Sequence, residues 1–143
     1  KNAVELFEDG LMTRDFVFVG DVADTVVNSV VYEPQISSII NVGSGQATTL
    51  QKLVEPIALI TNKQPKITVL GRFRVGDIRH AVADMSHYET LFGNWTPTTL
   101  EEGLRQYLSW YLQQTPLSEN ELEVSFKEME QKGLLKTSQS PEN

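Results

Sequence analysis

Cysteine is absent from this 143-residue chain, which excludes disulfides and thiolate metal ligands and fits a reducing compartment. No stretch approaches the roughly 18 consecutive apolar residues of a membrane span, so no membrane partner is expected. Basic charge is also scarce. Lys and Arg number 12 against 19 Asp and Glu, for a formal net charge of −7. Nucleic acids and anionic membranes both need a basic face, so neither is an expected partner. A local pair of arginines can still hold a phosphate-bearing small ligand inside an acidic protein. The two histidines, His80 and His87, have no Asp, Glu or His at metal-ligand spacing. No metal site is expected, and both read as structural or exposed.

Gly43-Ser44-Gly45 lacks the third glycine, and the acid about 20 residues further on, that a dinucleotide loop needs. It reads instead as a tight strand-to-helix turn requiring positive φ. The chain opens on Lys1 and runs almost at once into an apolar stretch. That reads as an interior point of a longer protein, or as a processed or trimmed end.

What is present is an ordinary globular profile, 40% apolar and 22% charged. Residues 4–7 alternate weakly and end on the turn signal Glu8-Asp9-Gly10. Residues 15–19, β-branched and aromatic, predict a short strand. Asp21 is placed to cap a helix whose apolar set is Val22, Ala23, Val26, Val27, Val30 and Val31, stopped by Pro34. Residues 38–42 predict a strand covered on both faces. Thr48 or Thr49 would cap a helix to about Asn62, with Pro56 inside it. A strand is expected over 66–70, a possible extended run over 81–83, and a short helix over 87–92 capped by Ser86 and stopped by Gly93. Thr98 or Thr99 would cap the last strong helix, with Leu100, Leu104, Tyr107, Leu108, Tyr111 and Leu112 on one face. Trp95 and Trp110 read as packing residues. Strands alternating with helices give an α/β layer fold, but with too few covered strands for a complete doubly wound sheet, hence a partial domain.

Three segments carry a resemblance. Asp9-Gly10, then Arg14-Asp15-Phe16-Val17-Phe18-Val19-Gly20-Asp21-Val22-Ala23, comes first. Asn41-Val42-Gly43-Ser44-Gly45 with Thr48-Thr49-Leu50 follows, and Arg74-Val75-Gly76-Asp77-Ile78-Arg79 with Ala83-Asp84 is third. In this order and spacing they resemble the extended short-chain dehydrogenase/reductase family of NAD-dependent nucleotide-sugar epimerases and dehydratases. The helix from Leu100 to Leu112 resembles that family's closing helix. The match runs over about residues 4–114.

The resemblance implies the C-terminal, substrate-binding part of an extended Rossmann-type enzyme, with a few strands and four to five helices. Residues 115–136 would be an acidic amphipathic extension able to form a helix, with Leu122, Phe126 and Met129 as its apolar positions, and 137–143 a disordered tail. It also implies a nucleotide-diphosphate sugar as ligand. Arg14 and Arg74 would grip its diphosphate, Asp77 would bond a ribose hydroxyl, and Phe16 would place a ring near the nucleotide. Guanidinium forks suit a diphosphate on chemical grounds alone. Without the family, Arg14-Asp15 reads equally as a local ion pair, Asp77 as a turn residue, and Phe16 as core.

The family's chemistry needs NAD and a tyrosine four residues before a lysine, which lowers the tyrosine's pKa. Tyr32, Tyr88, Tyr107 and Tyr111 are followed four places on by Ile36, Phe92, Tyr111 and Thr115. This chain by itself is therefore expected to be inactive, with no catalytic residue and no bound NAD. NAD would belong to the full-length enzyme. Homo-oligomerisation, or contact with a missing N-terminal half, is expected through uncovered edges, and a cytoplasmic location goes with it. The alternative is a stand-alone, non-catalytic binding or self-association module derived from that family.

Overall fold

A computed structural model describes residues 3–31, 37–115 and 119–137. Strand β1 (Ala3–Leu6) lies parallel to β4 (Lys66–Val69), with Val4 opposite Ile67 and Leu6 opposite Val69. Strands β2 (Thr13–Arg14) and β3 (Thr48–Thr49) form a two-residue antiparallel pair, joined by a bridge from Thr13 to His80. Strand β5 (Arg72–Arg74) pairs antiparallel with β6 (Leu135–Thr137). Five helices are found among the described residues: α1 (Val19–Val31), α2 (Leu50–Thr61), α3 (Ser86–Phe92), α4 (Leu100–Tyr111) and α5 (Glu119–Gln131). The architecture is mixed α/β and partial, as the sequence predicts.

The helix signals are read correctly at α2 and α4. The Thr49 hydroxyl accepts the Lys52 N–H at 3.3 Å, and α2 ends on Asn62 in the left-handed region at φ 51°. The Thr99 hydroxyl likewise accepts the Glu102 N–H at 3.3 Å to start α4. At α3 the cap differs. Ser86 is the first helical residue, and its N–H is taken at 2.9 Å by the carboxylate of Asp84.

Two predicted strands are not formed. Residues 15–18 make no ladder, and the chain enters α1 already at Val19. Asp21 then lies inside the first turn rather than at the cap. Its carboxylate reaches out to the Thr98 N–H at 2.9 Å and the Thr98 hydroxyl at 2.7 Å, tying the entry of α4 to that of α1. Residues 38–42 are also irregular, and Ile39 is 92% exposed. β-propensity makes a strand only where a neighbour supplies the ladder, and no described strand runs beside either segment.

The buried apolar residues are Leu6, Met12, Val54, Met85, Tyr88, Leu108 and Leu135. On α1 the expected burial is inverted. Thr25 is turned in, its hydroxyl donating to the Asp21 carbonyl at 2.8 Å, while Val26, Val27, Val30 and Val31 face outward. The expected stop of α1 near Pro34 lies outside the described residues.

Candidate functional site

Four of the five arginines fall in two short segments, Arg14 in β2 and Arg72, Arg74 and Arg79 around β5. The bridge from Thr13 to His80 sets these segments side by side, with the Thr13 N–H donating to the Arg79 carbonyl at 3.0 Å. A tight turn carries Arg74 and Asp77 together: the Asp77 N–H donates to the Arg74 carbonyl at 3.1 Å, and Gly76 takes φ 83°, where a side chain would be strained.

Arg14 is fixed at three points. Its Nη1 donates to the carbonyls of Thr13 at 2.9 Å and Arg79 at 3.2 Å. Its Nη2 meets Asp77 Oδ1 at 2.8 Å, with both side chains about a third exposed or less. Arg14 therefore does not pair with its neighbour Asp15; its carboxylate partner is 63 residues away. Arg79 pairs with Glu8 and Asp9 and fastens the turn after β1. That pairing, with the Leu11 N–H, holds the Asp9 carboxyl below its ordinary range. Arg72 pairs with Glu130 at 3.0 Å. Arg74 makes no ion pair among the described residues; its guanidinium carbon sits 5.1 Å from the centroid of the Phe7 ring. One turn thus carries Arg74, whose guanidinium rests on an aromatic face, and Asp77, whose carboxylate takes the guanidinium of Arg14.

Phe16 is not brought into this cluster by any described contact. It lines an open apolar groove of about 770 Å³, together with Phe18, Leu53, Leu104, Tyr107 and Trp110. This groove lies between the 16–19 segment, α2 and α4. Packing explains part of it: Gly103 of α4 brings that helix to within contact distance of the Phe18 ring.

The sequence reading missed the role of Asp15. Its Oδ1 accepts the Ser44 N–H and the Ser44 hydroxyl, both at 2.6 Å. Its Oδ2 accepts the N–H groups of Gly45 at 2.9 Å and Ala83 at 3.0 Å. Burial alone would raise this carboxyl, but the Ser44 hydroxyl and the three backbone donors outweigh it and hold it below its ordinary value. One side chain therefore joins the segment leading out of β2, the 43–45 turn and the 81–84 segment. The only local signal was its place in the motif next to Arg14.

The same bonds settle what the 43–45 turn does. Its N–H groups are all engaged: Gly43 to the Met85 sulfur at 3.3 Å, Ser44 and Gly45 to Asp15, and Gln46 to the Ser44 hydroxyl at 3.2 Å. The Gly43 carbonyl accepts from the Trp95 indole at 2.8 Å, and Trp95 packs edge-on against Tyr88 with centroids 4.6 Å apart. A phosphate cradle needs donors that point at the ligand; these point inward. Only Gly45 needs positive φ, at 73°. Gly43 is required for close approach instead, since a β-carbon there would lie 2.4 Å from that of Ala83. His80 and His87 are bonded to hydroxyls, those of Thr13 at 2.8 Å and Ser38 at 2.6 Å.

No family model matches the chain. Over 115 residues it is 40% identical to the dTDP-L-rhamnose 4-epimerase of Burkholderia thailandensis, a match covering 80% of this chain and 31% of that protein. It is 30% identical over 109 residues to the UDP-glucuronate 4-epimerase of Thermodesulfobacterium geofontis, covering 75% of this chain and 32% of that protein. Among solved structures, MoeE5 in complex with UDP-glucuronic acid and NAD superposes with a TM-score of 0.68 at 30% identity, over 76% of this chain and 36% of that one. The UDP-N-acetylglucosamine 4-epimerase from Methanobrevibacter ruminantium M1, in complex with UDP-N-acetylmuramic acid, gives 0.70 at 28% identity, over 79% and 36%.

Fold and comparisons together define a segment of a Rossmann-type α/β enzyme. The chain belongs to the extended short-chain dehydrogenase/reductase family of NAD-dependent nucleotide-sugar epimerases and dehydratases, as a C-terminal part. It spans about one third of the length of the relatives it matches.

Proposed function

We propose that this chain supplies the nucleotide-diphosphate-sugar subsite of an epimerase or dehydratase whose cofactor-binding part lies outside it. The observation that carries this reading is the Arg14–Asp77–Arg74 cluster. A permanent cation with no carboxylate partner among the described residues stands one turn from an aspartate that already orients a second arginine. A diphosphate would add charge-assisted bonds to the aromatic contact that Arg74 keeps on Phe7, and would share Arg14 with Asp77. Asp77 Oδ2 would then serve a ribose hydroxyl. Phe16 stands apart in the apolar groove; we assign it a packing contact toward the nucleotide side rather than a phosphate role.

NAD is bound in solved relatives. The 43–45 turn has its donors committed inward, and no described residue offers the tyrosine–lysine pair. We therefore assign NAD chemistry to the portion of the enzyme that this chain does not span. Binding of UDP-glucuronic acid and of a dTDP-sugar by calorimetry tests the subsite. Arg74→Ala and Arg14→Ala should each weaken binding at least about tenfold, the scale of one charge-assisted phosphate contact. Unchanged affinity in both variants would refute the assignment.

A further inference from the structure

Helix α5 and strand β6 lie beyond the motif-bearing stretch, which closes with α4, yet they fold back onto the arginine cluster. Strand β6 is the only described partner of β5, with Leu135 opposite Arg74. Two backbone bonds continue the connection: the Val75 N–H donates to the Leu134 carbonyl at 2.9 Å, and the Leu134 N–H to the Met129 carbonyl at 2.8 Å. Leu135 is buried. From α5, Phe126 packs on Phe7 with ring centroids 5.9 Å apart, and Phe7 is the ring beneath the Arg74 guanidinium. Glu130 takes Arg72 at 3.0 Å, removing a competing cation from the same strand. The appendage therefore holds Arg74 twice, at its backbone through β6 and at its head group through the Phe126–Phe7 stack.

We infer that the α5–β6 appendage is a positioning device for Arg74, with Phe126 and Leu135 as its positioning residues. A three-residue strand without a partner has no ladder to fix it, and a long arginine side chain free to rotate loses rotamer entropy on gripping a ligand. The appendage removes both costs in advance, so the guanidinium meets the diphosphate already ordered. This inference rests on the reading of Arg74 as a diphosphate ligand.

The test uses the whole 143-residue chain, with UDP-glucuronic acid as the probe. Phe126→Ala should lower its affinity roughly tenfold, the scale of one lost cation–π or aromatic contact. In an Arg74→Ala background the same substitution should change it less than about twofold, because the residue it acts through is gone. Phe126→Tyr should restore binding. A second readout needs no ligand: the side-chain Nε–H resonance of Arg74, shifted upfield by the Phe7 ring, should move downfield in Phe126→Ala and return in Phe126→Tyr. Equal losses in both backgrounds, or an Arg74 resonance unmoved by Phe126→Ala, would overturn the positioning role and leave the diphosphate subsite standing. Absence of binding by the unsubstituted chain, or no effect of Arg74→Ala, would bring down the subsite and this inference together.

Discussion

Asp15 accepts four hydrogen bonds from two other chain segments, and its carboxyl is held below its ordinary value of 3.8. A depressed carboxyl contributes stability that is complete above the unfolded pKa and is lost as pH falls through the folded one. The expected acid limb therefore lies below about pH 4. Asp15→Asn replaces one acceptor oxygen by an amide that faces an N–H donor. It should cost about 2 kcal/mol by urea denaturation at pH 7 and flatten stability between pH 4 and the acid transition. An unchanged acid limb would assign that limb to other carboxylates. Gly43 makes a second residue-scale case. Gly43→Ala puts a methyl group against Ala83 and the Asp15 carboxylate. A loss of about 1–3 kcal/mol is expected from overpacking, again read by denaturant midpoint.

Among the elements, α1 is the least supported by its own chain. Its buried residue is Thr25, and four valines, Val26, Val27, Val30 and Val31, are each well over half exposed. A helix apolar on its outer face is ordinarily covered, and a 13-residue helix without tertiary packing is marginal in water. Amide exchange should be fast along α1 and slow in α2 and α4, which pack on each other. Protection of α1 equal to that of α4 would show that something covers the valines in solution. At this scale the sequence was informative where the signal is local. Thr49, Thr99 and Asn62 mark helix ends because capping depends on a residue and its next three or four neighbours. It misled over 15–19 and 38–42, where a strand depends on a neighbour that no local pattern names.

For the molecule as a whole, exposed apolar surface outweighs the core. Seven apolar residues are buried among the described residues against nineteen large ones exposed, and none of the large side chains is fully buried. A monomer rarely leaves so much uncovered. The chain in isolation should therefore self-associate, its weight-average mass rising with concentration in sedimentation experiments. Val26→Asp with Val30→Asp should reduce that rise while costing under about 0.5 kcal/mol of stability, as for exposed positions. A monodisperse monomer at all concentrations would refute this.

The candidate site divides in the same way. Arg14, Arg74 and Asp77 became candidates through the motifs that resemble the family's, because residue type alone left Arg14 a local ion pair and Asp77 a turn residue. That Arg14 takes Asp77 rather than Asp15, that Phe16 turns into an apolar groove, and that Phe126 props the ring under Arg74 were not legible. The sequence by itself determined the family, through motifs in a given order, the caps of α2 and α4, and the residue types able to meet a diphosphate, since these depend on residue type and short-range order. Only the tertiary structure decided the partners, because each joins residues 29 to about 120 positions apart, and which of many chemically equivalent groups meet is set by how the chain packs.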